Sequence, residues 1–98
     1  MATYQLHFQA NPTLWPNDPQ QLLALWEQAF QACDALIETG AMQAPRFINT
    51  TEGYVLVEAD SKSAALAVAA QFFPNWTNEI DELVPWNDAK EAILGALR

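Results

Sequence analysis

The sequence has very few of the residues on which most metal and nucleophile chemistries depend, with one cysteine and one histidine in 98 residues. Cys33 has no second cysteine, so an internal disulfide is excluded, and with His7 as the lone histidine no cysteine–histidine zinc site is expected. Three glycines are too few for a glycine-rich phosphate loop. No G-x-S-x-G or H-E-x-x-H motif occurs. We therefore expect no metal site and no cofactor.

Positive charge is also scarce, since four Lys and Arg face 12 Asp and Glu and give a net charge of −8. Such a surface repels phosphate backbones and anionic lipid, so neither nucleic acid nor a membrane is expected as a partner, despite four Trp. No apolar run approaches the ~18 residues needed to cross a bilayer. The opening MATYQLHFQA lacks the basic and apolar regions of a secretory signal. The composition predicts an acidic cytoplasmic protein, bacterial in style.

The sequence does have a clear order of hydrophobic periods. Alternation with period two predicts strands, and a period of 3.6 predicts helices. Their order is strand, helix, strand, strand, helix, strand, followed by a short C-terminal helix, which predicts an α+β ferredoxin-like sandwich with an antiparallel sheet. The length predicts one domain over residues 1–98. The predicted strands are 4–10, 46–50, 54–59 and 79–86, and the predicted helices are 19–39, 61–73 and a last one from Asn87 or Asp88.

Local signals mark the ends of these elements. Asp18 before a proline predicts the start of the first helix, and Gly40 its end. Either Asp60 or Ser61 caps the second helix. A turn containing Gly53, at residues 51–53, joins the two hairpin strands. Asp88 and Glu91 have the spacing of a capping box, so we expect the C-terminal helix to begin with a capping box at these residues.

Three segments leave alternatives open. The proline-rich loop 11–18 carries Trp15, which is either a lid over a cleft or a strap that seals the edge of the core. The second helix is apolar nearly all round from Ala64 to Phe73, which indicates either a partner surface or a close-packed strap. The C-terminal helix has an apolar side that packs either on its own domain or on a neighbour.

The face of the sheet that the helices leave uncovered is the expected functional surface. Alternation assigns Leu6 and Val57 to the covered face, together with Tyr4, Phe8, Val55 and Ala59. The other face carries Gln5, His7, Gln9, Tyr54, Leu56 and Glu58, with one side of the hairpin partner. It is too apolar for a free surface and too polar for a dry core. A homodimer that joins two such faces around a part-polar cavity would satisfy both properties.

Four residues of this face form the only acid/base or anchoring set that the sequence offers: His7, Arg46, Tyr54 and Glu58. An imidazole and a carboxylate on one wall can exchange protons, and the same groups can anchor a small ligand. Interface packing is the simpler alternative, because a single histidine on a strand is usually only hydrogen-bonded. Trp15 joins this ligand-binding set as the candidate lid. No catalytic residue is assigned.

The stretch GYVLVEAD at residues 53–60, followed by a helix and EIDELVPW at residues 79–86, resembles the DUF3303-type small bacterial domains, which are similar to the dimeric α+β barrel superfamily. The likeness covers residues 46–92, and the N-terminal half departs from it through the long proline-rich loop. The resemblance implies a homodimer whose sheets face one another. Related barrels include isomerases, cofactor-free oxygenases and haem-handling enzymes, as well as members with no known activity. Glu58 matches the family's recurrent acidic position.

These observations predict a small homodimeric binding or assembly module without an evident catalytic motif. The alternative is a cofactor-independent enzyme, isomerase-like or oxygenase-like, that acts on a small apolar or aromatic molecule in the barrel cavity. A third hypothesis is a subunit that docks on another protein through residues 64–73. Whether the protein is an enzyme stays open at this point.

Overall fold

The computed structural model describes residues 1–98 and contains four strands and three helices in the expected order. The elements are β1 (Ala2–Ala10), α1 (Pro19–Glu38), β2 (Arg46–Phe47), β3 (Glu52–Ala59), α2 (Lys62–Ala70), β4 (Trp76–Leu83) and α3 (Trp86–Leu97). None of the three helices combines the length and the apolar character that a membrane span requires.

The four strands form one antiparallel sheet in the order β2-β3-β1-β4. Strand β1 lies in the middle, where Leu6 is opposite Val55 of β3 on one side and Ile80 of β4 on the other. This topology confirms the α+β fold predicted from the sequence, and it is that of a ferredoxin-like sandwich.

The assignment of side chains to the two faces of the sheet is confirmed by burial. Leu6 and Val57 are almost completely inaccessible to solvent, and the core around them combines the covered face of β1 and β3 with residues of α2 and the segment before β2. The other core members are Tyr4, Met42, Val55, Ala59, Ala65 and Ala69. The alternating polar residues of both strands lie on the opposite face, because successive side chains of a strand point to opposite sides.

The helix ends follow the local signals. The Asp18 side chain accepts a hydrogen bond from the Gln20 N–H at 3.2 Å, and Gly40 after α1 has a φ of +82°. Of the two candidate caps for α2, Ser61 is the one used, since its hydroxyl oxygen accepts from the Ala64 N–H at 3.1 Å. Helix α2 ends at Ala70, three residues before the predicted end, because the chain tightens into a turn at residues 71–75.

The hairpin differs from the sequence prediction. Strand β2 has only two residues, and the turn lies at residues 48–51, so Gly53 is inside β3 and not in the turn. The Asn49 side chain sets this turn by accepting from the Thr51 N–H at 2.9 Å. Gly53 is needed for another reason, since a Cβ there would lie 2.2 Å from the carbonyl oxygen of Arg46 in the neighbouring strand.

The C-terminal region also differs from the prediction. Strand β4 begins at Trp76, three residues earlier than expected, because the register with β1 continues to the pair Ala10–Trp76. Trp86 is the first residue of α3 and does not continue the strand. Pro85 precedes the helix, and no side chain caps it, so the expected capping box of Asp88 and Glu91 does not form.

Helix α3 projects away from the rest of the domain. It comes no nearer than 8 Å, measured between Cα atoms, to any other helix or strand, and none of its side chains is buried. The molecule therefore measures 58 × 26 × 20 Å and has a radius of gyration of 16.0 Å. A compact chain of this length would have a radius of gyration of about 13 Å. Of the two alternatives for this helix, packing on its own domain is thus excluded.

Candidate functional site

An apolar pocket of about 250 Å³ lies between α1 and the covered face of the sheet. Its floor includes Leu6 and Val55 of the sheet, and its roof includes Ala29 and Ile37 of α1. Hydrophobic residues make up 14 of the 17 that line it. Six of the lining residues are aromatic: Phe8, Trp26, Phe30, Phe47, Phe72 and Trp76.

The pocket exists because the two helices approach the sheet to different depths. Helix α2 faces the core with alanines, Ala65 and Ala69, so its backbone lies close to β1, β3 and β4. Helix α1 faces the sheet with large side chains such as Trp26, and its backbone stays farther from every strand. Because the small side chains of α2 and the large side chains of α1 hold the two helices at different distances from the sheet, a space remains that neither helix fills.

Two tryptophans that line the pocket, Trp26 and Trp76, pack against a third, Trp15 of the loop 11–18. The Trp15 ring lies edge-on to Trp26 and Trp76, with centroids 5.8 and 5.3 Å apart, and the Trp26 and Trp76 centroids are 5.3 Å apart. These are favourable geometries for aromatic pairs. The loop that carries Trp15 is held in place by Asn11, whose N–H donates to the Asn75 carbonyl at 2.8 Å. Trp15 does not line the pocket itself, and its packing against two lining residues is the strap arrangement.

The polar groups of the pocket are few and weakly reactive. Asp34 and Asn78 supply its polar lining, and Cys33 contributes a thiol. Burial raises the pKa of the Cys33 thiol, and the negative charge of the neighbouring Asp34 raises it further. A thiol with a raised pKa is a poor nucleophile at neutral pH, because the thiolate is the reactive form. The arrangement is suited to holding an apolar molecule.

Four of the five ligand-binding residues predicted from the sequence lie on the opposite, open face of the sheet. His7 and Tyr54 are cross-strand partners whose rings stack at 4.6 Å with an interplanar angle of 18°. Arg46 is opposite Tyr54 in the register and so shares its face. Glu58 lies farther along β3, where the Thr3 hydroxyl donates to it at 2.8 Å. The structure therefore brings His7, Tyr54 and Arg46 together, and places Glu58 apart from them.

The closest partner of His7 is a residue that the sequence reasoning missed. The His7 Nε2–H donates to the Glu52 carboxylate at 2.6 Å, and the Gln9 side-chain amide donates to the same oxygen at 3.2 Å. The hydrogen bond from His7, followed by that from Gln9, lowers the pKa of Glu52. The sequence predicts Glu52 in the turn at residues 51–53, whereas the structure places it in β3. Its spacing of two from Tyr54 is the signal that assigns it to the same face of the strand.

The open face is therefore a polar surface on which stacking and hydrogen bonds hold His7, Tyr54 and Glu52 together. The pocket lies on the other side of the sheet. No group of three His, Cys, Asp or Glu side chains converges in a way that would hold a metal ion. Glu79 is the second carboxylate near His7, at 4.0 Å from Nδ1, and it is largely exposed. Comparison of the sequence with protein-family models and with characterised proteins finds no match.

Proposed function

We propose that this protein is a cytoplasmic homodimeric binding module that takes up a small apolar molecule in the pocket beneath α1. The observation that carries the proposal is the 250 Å³ volume with its largely hydrophobic and aromatic wall. Drug-sized ligands occupy roughly 300–1,000 Å³, whereas a dry cavity of roughly 150 Å³ holds benzene. The volume thus favours a molecule of one or two rings. The free thiol of Cys33 is typical of a reducing compartment.

The affinity of such a ligand follows from its size. A compact molecule of ~10 non-hydrogen atoms gains on the order of 0.5 kcal/mol per atom in a well-matched apolar site. The corresponding dissociation constant is on the order of 100 μM. Phe30 and Phe47, each about half exposed, lie at the pocket and give the ligand a route in. We expect a binder of modest affinity whose specificity depends on shape.

The experiment that tests the pocket uses 2-naphthol and ligand-observed NMR titration. Ala29 is a buried lining residue of α1, so Ala29→Leu places three additional carbons in the pocket. We expect this change to weaken binding at least tenfold. Ala24→Leu is the matched control, because Ala24 is exposed on the same helix, and it should leave affinity unchanged. Equal binding by both variants would show that the pocket is not the site.

The homodimer is supported by the amount of surface that one chain exposes. Its accessible surface is 6893 Å², whereas a compact monomer of this mass exposes about 5,600 Å². The excess of about 1,300 Å² is larger than the ~800 Å² that each partner contributes to a standard interface. The open sheet face, with the exposed aromatic Tyr54 among polar groups, is the surface that a second copy would cover.

Sedimentation velocity over a range of concentrations tests the dimer. Leu56 lies near the centre of the open face, opposite Gln5, and Leu56→Asp would bring an additional carboxylate into an interface between two acidic surfaces. We expect the natural chain to sediment as a dimer and this variant as a monomer. A natural chain that stays monomeric at high concentration would rule the dimer out.

The enzyme alternative is favoured by one observation, the 2.6 Å contact between His7 and Glu52. A carboxylate that orients an imidazole is a general-base arrangement. It would act on a molecule held at the open face once a second copy encloses that face. His7 is the single histidine, so its ring protons give an unambiguous NMR signal. The pocket proposal predicts no change of this signal on adding 2-naphthol, whereas binding beside His7 would shift it.

A further inference from the structure

Helix α3 carries an exposed apolar stripe that nothing in its own domain covers. Trp86, Ile93 and Leu97 have spacings of seven and four residues, so they lie on one side of the helix. They are 75%, 60% and 81% exposed. The Lys90 ammonium lies 5.8 Å from the centre of the Trp86 ring, which places a cation beside the stripe. A helix of this kind is stable only when a partner surface covers its apolar side.

We propose that α3 packs across the open sheet face of a second copy of this chain, and so completes the homodimer proposed above, on which this inference rests. The helix has 12 residues and is therefore ~18 Å long. A sheet of four strands is ~15–19 Å wide, since neighbouring strands are about 4.8 Å apart. One α3 thus spans the sheet of the second copy from edge to edge, and the two-fold symmetry of a dimer gives each sheet one such helix.

The area that this contact buries is sufficient for a stable dimer. A Trp side chain alone buries up to ~250 Å². On that scale, the exposed parts of Trp86, Ile93 and Leu97 together have an area of about 500 Å². Two stripes and the surfaces that they cover give a total on the order of 2,000 Å². Stable interfaces bury roughly 1,200–2,000 Å² in total. This contact would account for the accessible surface that each chain exposes in excess of a compact monomer of the same mass.

Charge favours the open sheet face over the outer surface of α2, which carries Lys62 and no carboxylate, as the place where α3 binds. Lys90 and the C-terminal Arg98 are two of the four basic residues in the chain. The open face carries the carboxylates of Glu58 on β3 and of Glu79 and Asp81 on β4, against the single cation Arg46 on β2. Opposite charges on two surfaces fix their relative orientation and accelerate association. The apolar Leu56 and Leu83 lie among these carboxylates and meet the stripe.

The first test uses the full chain and sedimentation velocity. Ile93→Glu places a charge in the stripe of both copies, and we expect the dimer dissociation constant to rise by about 100-fold or more. Gly95→Glu is the control, because Gly95 lies on the side of α3 opposite the stripe, between Asp88 and Glu91, and a side chain there meets no other atom; this variant should dimerise as the natural chain does. A natural dimer that Ile93→Glu leaves intact would overturn the role of α3 while leaving the proposed homodimer in place. A monomeric natural chain would overturn both.

The second test locates the contact by disulfide formation between two differently mass-labelled chains, both in a Cys33→Ser background. One chain carries Leu97→Cys, and the other carries either Gln5→Cys on the open face or Leu66→Cys on the outer side of α2. We expect mass spectrometry to find the mixed disulfide with Gln5→Cys alone. Preferential linkage to Leu66→Cys, or linkage of two Leu97→Cys chains to each other, would overturn the proposed position of α3.

Discussion

Replacing Gly53 by alanine tests how strictly the short strand β2 is held against β3. Gly53 is opposite Phe47 in β2 and Phe8 in β1, so it lies between two neighbouring backbones. An added Cβ would lie 2.2 Å from the Arg46 carbonyl oxygen and 2.9 Å from the Phe47 Cα. Both atoms belong to the backbone, so rotation of a side chain cannot relieve the clash, and β2 has to move away.

The cost has two contributions. Crowding of a filled site costs typically 1–3 kcal/mol, and each backbone hydrogen bond lost from the ladder between β2 and β3 costs about 1 kcal/mol. We expect Gly53→Ala to lower the free energy of unfolding by about 2–4 kcal/mol. For a domain of this size the melting temperature then falls by roughly 10–25 °C. Phe47 moves with β2, and because it lines the pocket, binding of 2-naphthol should weaken as well.

Urea denaturation followed by circular dichroism measures the first effect. Gly95→Ala is the control, because a Cβ at Gly95 meets no atom within 4 Å, and it should leave the unfolding midpoint of the domain unchanged. A Gly53→Ala variant whose midpoint and pocket affinity equal those of the natural chain would refute the close approach of β2 and β3.

Three further predictions concern single side chains. The folded pKa of Glu52 is below its ordinary value of about 4.3, so the contribution of this carboxylate to stability is complete above that pH and is lost as the pH falls through the folded pKa. The urea midpoint of Glu52→Gln should therefore decline less steeply than that of the natural chain between about pH 5 and 3. An equally steep decline would contradict this. The raised pKa of Cys33 predicts slow alkylation by iodoacetamide at pH 7.5, slower still with 2-naphthol bound, and a rate equal to that of a free thiol would disprove it. Asp18→Ala should cost about 0.5–2 kcal/mol of stability, with Asp18→Asn close to the natural chain; equal urea midpoints for the two variants would argue against the cap.

The order of elements and the two sheet faces were predictable because they depend on a single strong constraint. A strand that buries one face must alternate, and a shift by one residue would expose Leu6 and Val57 together. The same reasoning applies to the helix starts at Asp18 and Ser61, where a side-chain oxygen satisfies an N–H that has no partner within the helix. These signals are local, so the sequence contains them in full.

The hairpin and the last strand were harder because glycine and tryptophan each fit two environments. A glycine between two apolar runs is typical of a turn, but it is also required where two strands approach too closely for a Cβ, as at Gly53. Trp86 continues the alternation of β4 and equally begins the stripe of α3. The Asn49 turn is local, because the Asn49 side chain accepts from Thr51 two residues further on, and asparagine is also compatible with the strand that the alternation predicts. The start of β4 depends on the pairing of Trp76 with Ala10, which is distant in sequence.

The pocket could not be predicted because its residues have no chemical signature. Polar groups on a strand suggest chemistry, so the sequence predicts ligand contacts at His7, Arg46, Tyr54 and Glu58, and these residues lie on the open face. Residues that hold an apolar ligand are indistinguishable in sequence from core residues, and only the separation between α1 and the sheet turns them into a site. That separation results from alanines in α2 and large aromatic side chains in α1 acting together. The absence of catalytic motifs is therefore compatible with a binding function, because an apolar pocket needs none.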